Sequence, residues 1–133
     1  MTTYPIHEVE ADMYARLATD PAGTAVRALA TVIPAGALRA PIAAPTVAWR
    51  SGALSAVGNI TLLSGAWWVY VAHDDAFTQA RILDAIAAAY PRGALAYGST
   101  ETGAYSQRVY DTTLGAWARS ITIQYTRRGP TYV

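Results

Sequence analysis

Seven consecutive residues, Ala66-Trp67-Trp68-Val69-Tyr70-Val71-Ala72, constrain this chain more than any other stretch. An unbroken run of aromatic and β-branched residues reads as a strand. Side chains alternate across a strand, so Trp67, Val69 and Val71 point one way and Trp68, Tyr70 and Ala72 the other. Both sets are bulky and apolar. A strand with one face in water carries polar residues at alternate positions. This one demands cover on both sides, and a chain of 133 residues has few elements with which to supply it. A neighbouring subunit is a natural second cover.

The rest of the composition points the same way. The length suits one domain over residues 1–133, since domains commonly run to about 100–150 residues. Apolar residues make up 53% of the chain and charged residues 14%, against a usual charged share of about 25%. The surface is therefore poor in charge, either because it is rich in Ser, Thr, Gly and Ala or because a partner covers part of it. The net charge of +1 gives no global field to draw the chain onto nucleic acid or an anionic membrane. All basic residues are Arg, which forks and stacks well at interfaces. A GC-rich coding bias gives the same composition. With no cysteine, disulfides, thiolate nucleophiles and Cys-ligated zinc are excluded. The start lacks the basic and apolar regions of a signal peptide. No apolar run approaches the roughly 20 residues of a membrane span. The expectation is a protein made and matured in a cytoplasm.

Along the chain, residues 6–19 predict a helix with Val9, Met13 and Leu17 on one stripe. Glu8, Glu10 and Asp12 complement the positive end of its dipole. Asp20-Pro21 stops it. Residues 24–33 read as a short helix leading into a strand, and the three prolines of residues 34–45 as an extended connection. Residues 46–50 read as a strand. Residues 51–65, with three glycines and three serines, read as a connection holding some strand at 60–63. Asp74 or Asp75 caps a second helix running to about Tyr90, with Ile82, Leu83, Ile86, Ala87 and Tyr90 inward and Phe77 off the stripe. Residues 105–110 and 116–125 read as an antiparallel hairpin about the turn at 111–115, in which Arg119 interrupts an apolar face and needs a partner. After it, Arg127 and Arg128 lead into a short tail. The plan is α+β: a mostly antiparallel sheet with two main helices packed on one face.

Chemistry is sparsely marked. His73-Asp74-Asp75 is the cluster closest to a catalytic or metal-binding pattern, but three adjacent residues at a strand-to-helix junction cannot all face one ion. Helix capping explains the aspartates without a reaction. His7 has Glu8 and Glu10 nearby, and nothing nominates a third ligand. No phosphate loop or nucleophile elbow is present. The expectation is no enzyme, no cofactor and no metal. Four Trp and nine Tyr suit either a core or an interface. The Arg and Tyr of the last hairpin could meet nucleic acid, or equally acidic neighbours on a sheet edge.

The order of elements resembles the tail-terminator, or tail-completion, family of long-tailed siphophages. The resemblance lies in the short N-terminal helix and in Ala44-Pro45-Thr46-Val47-Ala48-Trp49-Arg50-Ser51-Gly52. It also lies in residues 67–72 followed by the acidic cap and Ala-rich helix at 74–90. Arg108-Val109-Tyr110-Asp111, through Leu114-Gly115 to residues 116–125, completes it. It covers most of the chain. The resemblance implies a homohexameric ring that caps the finished tail tube and joins it to the head–tail connector or stopper protein. DNA passes through such a ring without specific binding, and the site is the virion neck, with no membrane. It implies no catalytic residue. Residues expected at subunit contacts are Trp68, Tyr70, Phe77, Asn59, Arg127 and Arg128, with residues 51–65 and 127–133 touching neighbours. Two other readings stand beside it. One is a different neck protein, an adaptor or stopper. The other is a small ligand-binding or enzymatic dimer, which a pocket lined by Trp49, Trp67 and Tyr97 would favour.

Overall fold

The computed structural model describes residues 6–57, 60–73, 75–91 and 98–128. Helix α1 (Ile6–Ala18) leads through a 3₁₀ turn at Pro21–Gly23 into α2 (Thr24–Leu29) and the short strand β1 (Thr31–Pro34). Strands β2 (Thr46–Val57) and β3 (Ile60–Val71) follow, then α3 (Ala76–Ala89), β4 (Gly98–Tyr105), β5 (Val109–Asp111) and β6 (Ala116–Arg128). The strands form one six-stranded sheet in the order β1-β2-β3-β6-β4, with β5 also beside β6. The β1–β2 pairing is parallel and the others are antiparallel. The architecture is α+β, as the element pattern predicts. Among the described residues, no helix is long and apolar enough to cross a membrane.

The helices bury one face of the sheet. Met13 and Leu17 of α1, and Ile82, Leu83, Ile86 and Ala89 of α3, meet Val47, Trp49, Leu63, Trp67, Val69, Ile121, Ile123 and Tyr125. Trp67 stands at the centre. Its ring lies 5.9 Å from Tyr14 of α1 and 5.2 Å from Trp49 of β2. Its Nε1 donates to the Tyr90 hydroxyl at 2.9 Å, which donates to the Met13 carbonyl at 2.5 Å. One buried chain of hydrogen bonds thus ties β3 to the C-terminal end of α3 and the middle of α1. Trp49 makes no such bond: its buried Nε1 has no acceptor among the described residues. An orphaned donor costs about 1–3 kcal/mol. Burying 150–250 Å² of indole at about 25 cal/mol/Å² returns roughly 4–6 kcal/mol, so the ring stays in.

Two sequence expectations are corrected here. Residues 51–57 are strand, not connection, and β2 and β3 run side by side almost to their loop. The glycines that suggested a connection have other work. Gly65 lies beneath the Trp49 ring, where a Cβ would collide with the indole. Gly52 lies against the Ser64 carbonyl at a bulge: Ser51 pairs with Gly65, but Leu54 pairs with Leu63. The extra residue moves the inward phase from odd to even positions, so Leu54 joins the helix-side core after Val47 and Trp49. The expected hairpin is also broken. Tyr105 ends β4, Ser106–Arg108 leave the ladder, and pairing resumes at Val109. In α3, Gln79 and Ala89 are buried, while Ala87 is only half-buried.

Burial pushes the Tyr90 hydroxyl pKa well above the usual tyrosine range, although the Trp67 hydrogen bond opposes this. Burial raises Tyr14 in the same direction. The folded state thus favours the neutral phenol. Its contribution is complete below about pH 10 and falls above that, where only the unfolded chain ionises. Tyr90→Phe strands the buried Trp67 donor and is expected to cost about 1–3 kcal/mol at neutral pH. It should also flatten the loss of stability above pH 10. Denaturant unfolding of parent and variant across that pH range measures both effects.

Candidate functional site

The second face of the sheet divides into a covered and an open half. At the covered half Tyr70 is 1% exposed. Ile42 from the connection, Leu114 from the β5–β6 turn, Ala48, Ala116 and Ala118 enclose it, with Ile33, Leu38 and Trp68 at the margin. The connection is held there by a hydrogen bond from the Ile42 amide to the Leu114 carbonyl at 3.2 Å. The bulk that seemed to need a neighbouring subunit at Tyr70 is therefore covered by the chain itself. The covering element is the proline-rich coil, whose fold-back periodicity cannot reveal. Tyr70 is corrected from a candidate contact to a core residue.

The open half begins at Trp68, which is part-buried. The Arg50 guanidinium sits 6.0 Å from its ring centroid and donates to the Tyr70 hydroxyl at 3.4 Å. From there the register lays out successive rows. Arg50, Ala66 and Thr122 share one, Ser64 and Gln124 the next, and Ser55, Leu62 and Thr126 another. Leu62 is 40% exposed. Arg50, Ser64, Ala66, Trp68 and Thr122 line a shallow hollow of about 290 Å³. Across β2, β3 and β6 this half carries small, hydroxyl-bearing or apolar residues and Gln124, with Arg50 at its β2 border and Glu101 of β4 next in the row of Ser64 and Gln124.

Other candidate residues scatter. Phe77 projects from the first turn of α3, away from the stripe, and is 84% exposed. Arg127 and Arg128 continue β6 opposite Thr61 and Ile60, so they extend the sheet and do not open a tail. Their side chains, and Asn59 altogether, lie outside the described residues. Trp49 and Trp67 pack against each other in the core, while Tyr97 lies outside the described residues.

The hairpin arginines are held at home. Arg119 donates to the Ser106 carbonyl at 2.9 Å and sits 5.9 Å from the Tyr105 ring. Arg108 donates to Gln79 Oε1 at 2.7 Å and lies 5.0 Å from the Trp117 ring, itself edge-on to Tyr110. Gln79 in turn donates to the Val69 and Trp117 carbonyls, clamping α3 to β3 and β6. Sequence reasoning missed Gln79. Its position one turn before Ile82 and Leu83 was the available signal.

The His73–Asp75 cluster divides too. Asp75 caps α3, accepting from the Thr78 amide at 3.0 Å and from its hydroxyl at 2.5 Å. His73 is exposed, and Asp74 and the His7 side chain lie outside the described residues. Among the described residues, no group of three His, Cys, Asp or Glu side chains could hold a metal ion. No protein-family model matches the chain, and no curated protein matches it in sequence.

Hydrogen bonds from the Thr78 hydroxyl and amide hold the Asp75 carboxyl below the usual aspartate range. The cap's contribution is therefore present at neutral pH and lost as pH falls through that lowered value. Asp75→Ala is expected to lower the melting midpoint at pH 7. The gap from the parent should narrow in acid, where the parent carboxyl is protonated. Melts by circular dichroism between neutral pH and about pH 3 test this.

Proposed function

We propose that this chain is a structural, ring-forming subunit of a phage virion: a tail terminator that caps the tail tube and joins it to the head–tail connector. The observation that carries the reading is the open half of the second sheet face. It runs from Trp68 to Leu62 across β2, β3 and β6, bare of cover among the described residues and nearly free of charge. Interface centres are depleted in charge and enriched in aromatic residues and Arg, and Trp68 beneath Arg50 has that composition. Phe77, on the helix layer, adds an exposed aromatic apart from that face. The ring itself, the tube and connector partners, and free passage of DNA come from the family resemblance. Arginines tied to carbonyls, an amide oxygen and aromatic rings fit a surface that does not seize passing phosphates.

Native mass spectrometry of the purified chain, alone and with assembled tail tubes, tests the reading. The expected species has six times the 14.1 kDa chain mass, and electron microscopy should show it seated on tube ends. A chain that stays monomeric even with tubes sinks the proposal. Truncating a buried interface aromatic often costs about 2 kcal/mol or more. Trp68→Ala is therefore expected to weaken assembly more than it lowers the melting midpoint of the monomer. An oligomer unchanged by that substitution would remove Trp68 from the seam.

A further inference from the structure

We infer that copies of this chain join edge to edge, the outer edge of β2 in one copy pairing antiparallel with the outer edge of β4 in the next. The inference deepens the ring reading and rests on it for the closed form of the assembly.

The sheet leaves two long edges open. Strand β1 pairs with Thr46 to Trp49 and goes no further, so residues 51–57 have no outer neighbour among the described residues. On the other side, β4 pairs inward with β6 and likewise has no outer neighbour among them. Monomeric proteins blunt such edges with lysine, inward charge, proline, very short strands or bulges, and of these the two edges here carry only bulges and the single charge of Glu101. Residues 51–57 read Ser-Gly-Ala-Leu-Ser-Ala-Val, with no charge and no proline. Strand β4 carries Glu101 as its sole charge. Arg50, at the start of the β2 edge, has the opposite sign, so joining the edges meets no like-charge repulsion.

Length and direction match as well. The β2 edge has seven residues and β4 has eight. Strand β2 is antiparallel to β3, β3 to β6 and β6 to β4. The two edges therefore run in opposite directions. Copies related by rotation about an axis along the strands meet in the antiparallel sense that the sheet already uses. Such a contact joins different faces of the subunit, the kind that generates rings.

Both edges carry the same device. An extra residue enters β2 between Ser51 and Leu54, and another enters β4 between Thr102 and Tyr105. Each site reads Gly-Ala, at Gly52-Ala53 and at Gly103-Ala104. The register places them on either side of one cross-strand row, Ser51, Gly65, Ile123 and Thr102. A bulge bends its strand and increases the local twist. A bulge on each edge, flanking that row, supplies curvature of the kind that a sheet continued around a ring needs.

The chain has no cysteine, so engineered disulfides read this contact cleanly. Within one chain Ser55, Leu62, Thr126 and Ser99 share a row. Three strand spacings of about 4.8 Å put the two edges roughly 14 Å apart, beyond the reach of a disulfide. A bond between them must therefore join two chains. Ser55→Cys is combined in turn with Ser99→Cys and Glu101→Cys, and Ser51→Cys with Thr100→Cys and Thr102→Cys, so that the two positions of each pair share a sheet face. Each protein is oxidised and run on a denaturing gel. Reduced samples must melt with the parent. The expected result is a ladder of covalent oligomers in at least one combination, with every single-cysteine variant monomeric. No ladder in any combination overturns the inference, as does a covalent dimer from Ser55→Cys alone, which would mean that β2 pairs with β2. A native hexamer without a ladder leaves the ring reading standing and removes this one. A ladder without a closed end point at six keeps the edge contact and removes the hexameric ring.

Discussion

Trp67 lies where β3, α1 and α3 meet, and its single polar atom decides how they meet. Its Nε1 hydrogen needs an acceptor once the ring is buried, and the Tyr90 hydroxyl supplies it. The hydroxyl then needs an acceptor of its own and finds the Met13 carbonyl. Each link is satisfied by the next, which is the condition under which a buried polar network specifies one arrangement. The end of α3 and the middle of α1 are thereby fixed over the same point of the sheet. The apolar contacts of Met13, Leu17, Ile82 and Ile86 fill in around that point. Because apolar packing is non-directional, it would tolerate the helices sliding; the hydrogen bonds do not.

Cover on the second face is unequal, and the side chains follow it. Where the coil of residues 35–45 folds back, β3 presents Tyr70 and β6 presents Ala118 and Ala116, large against small. Where no described residue covers the face, β3 presents Ala66, Ser64 and Leu62, opposite Thr122, Gln124 and Thr126. This is the alternation expected of a sheet with one wet face. Trp68 stands at the boundary, half in each regime. What marks the open half is the near absence of charge, since strands facing water in a solitary protein usually carry more.

Much of the helix-side core was legible. Met13, Leu17, Ile82, Leu83, Ile86 and Tyr90 follow helical spacing, and Val69, Ile121, Ile123 and Tyr125 follow strand spacing. The end of α3 and its cap were legible because proline and aspartate act within one turn. The long β2–β3 pair was not, because Gly52, Gly65 and the serines read locally as turn chemistry. Only the facing strand shows that Gly65 makes room for the Trp49 ring and that Gly52 sits in a bulge. Gln79 was missed for a related reason: a polar residue reads as surface until the carbonyls of Val69 and Trp117 are seen to await it. Of the candidate contacts, alternation placed Trp68 on its sheet face and helical spacing put Phe77 off the apolar stripe, whereas Tyr70 could not be told from an interface residue.

By itself, then, the sequence determined which residues avoid water and the local period with which they recur, because burial preference and backbone spacing are properties of short segments. It determined the α+β class and the doubly apolar central strand. Only the tertiary structure decided what covers that strand. The coil that encloses Tyr70 and the bulge that turns Leu54 inward both depend on contacts between distant segments, and no local pattern encodes which segments will meet.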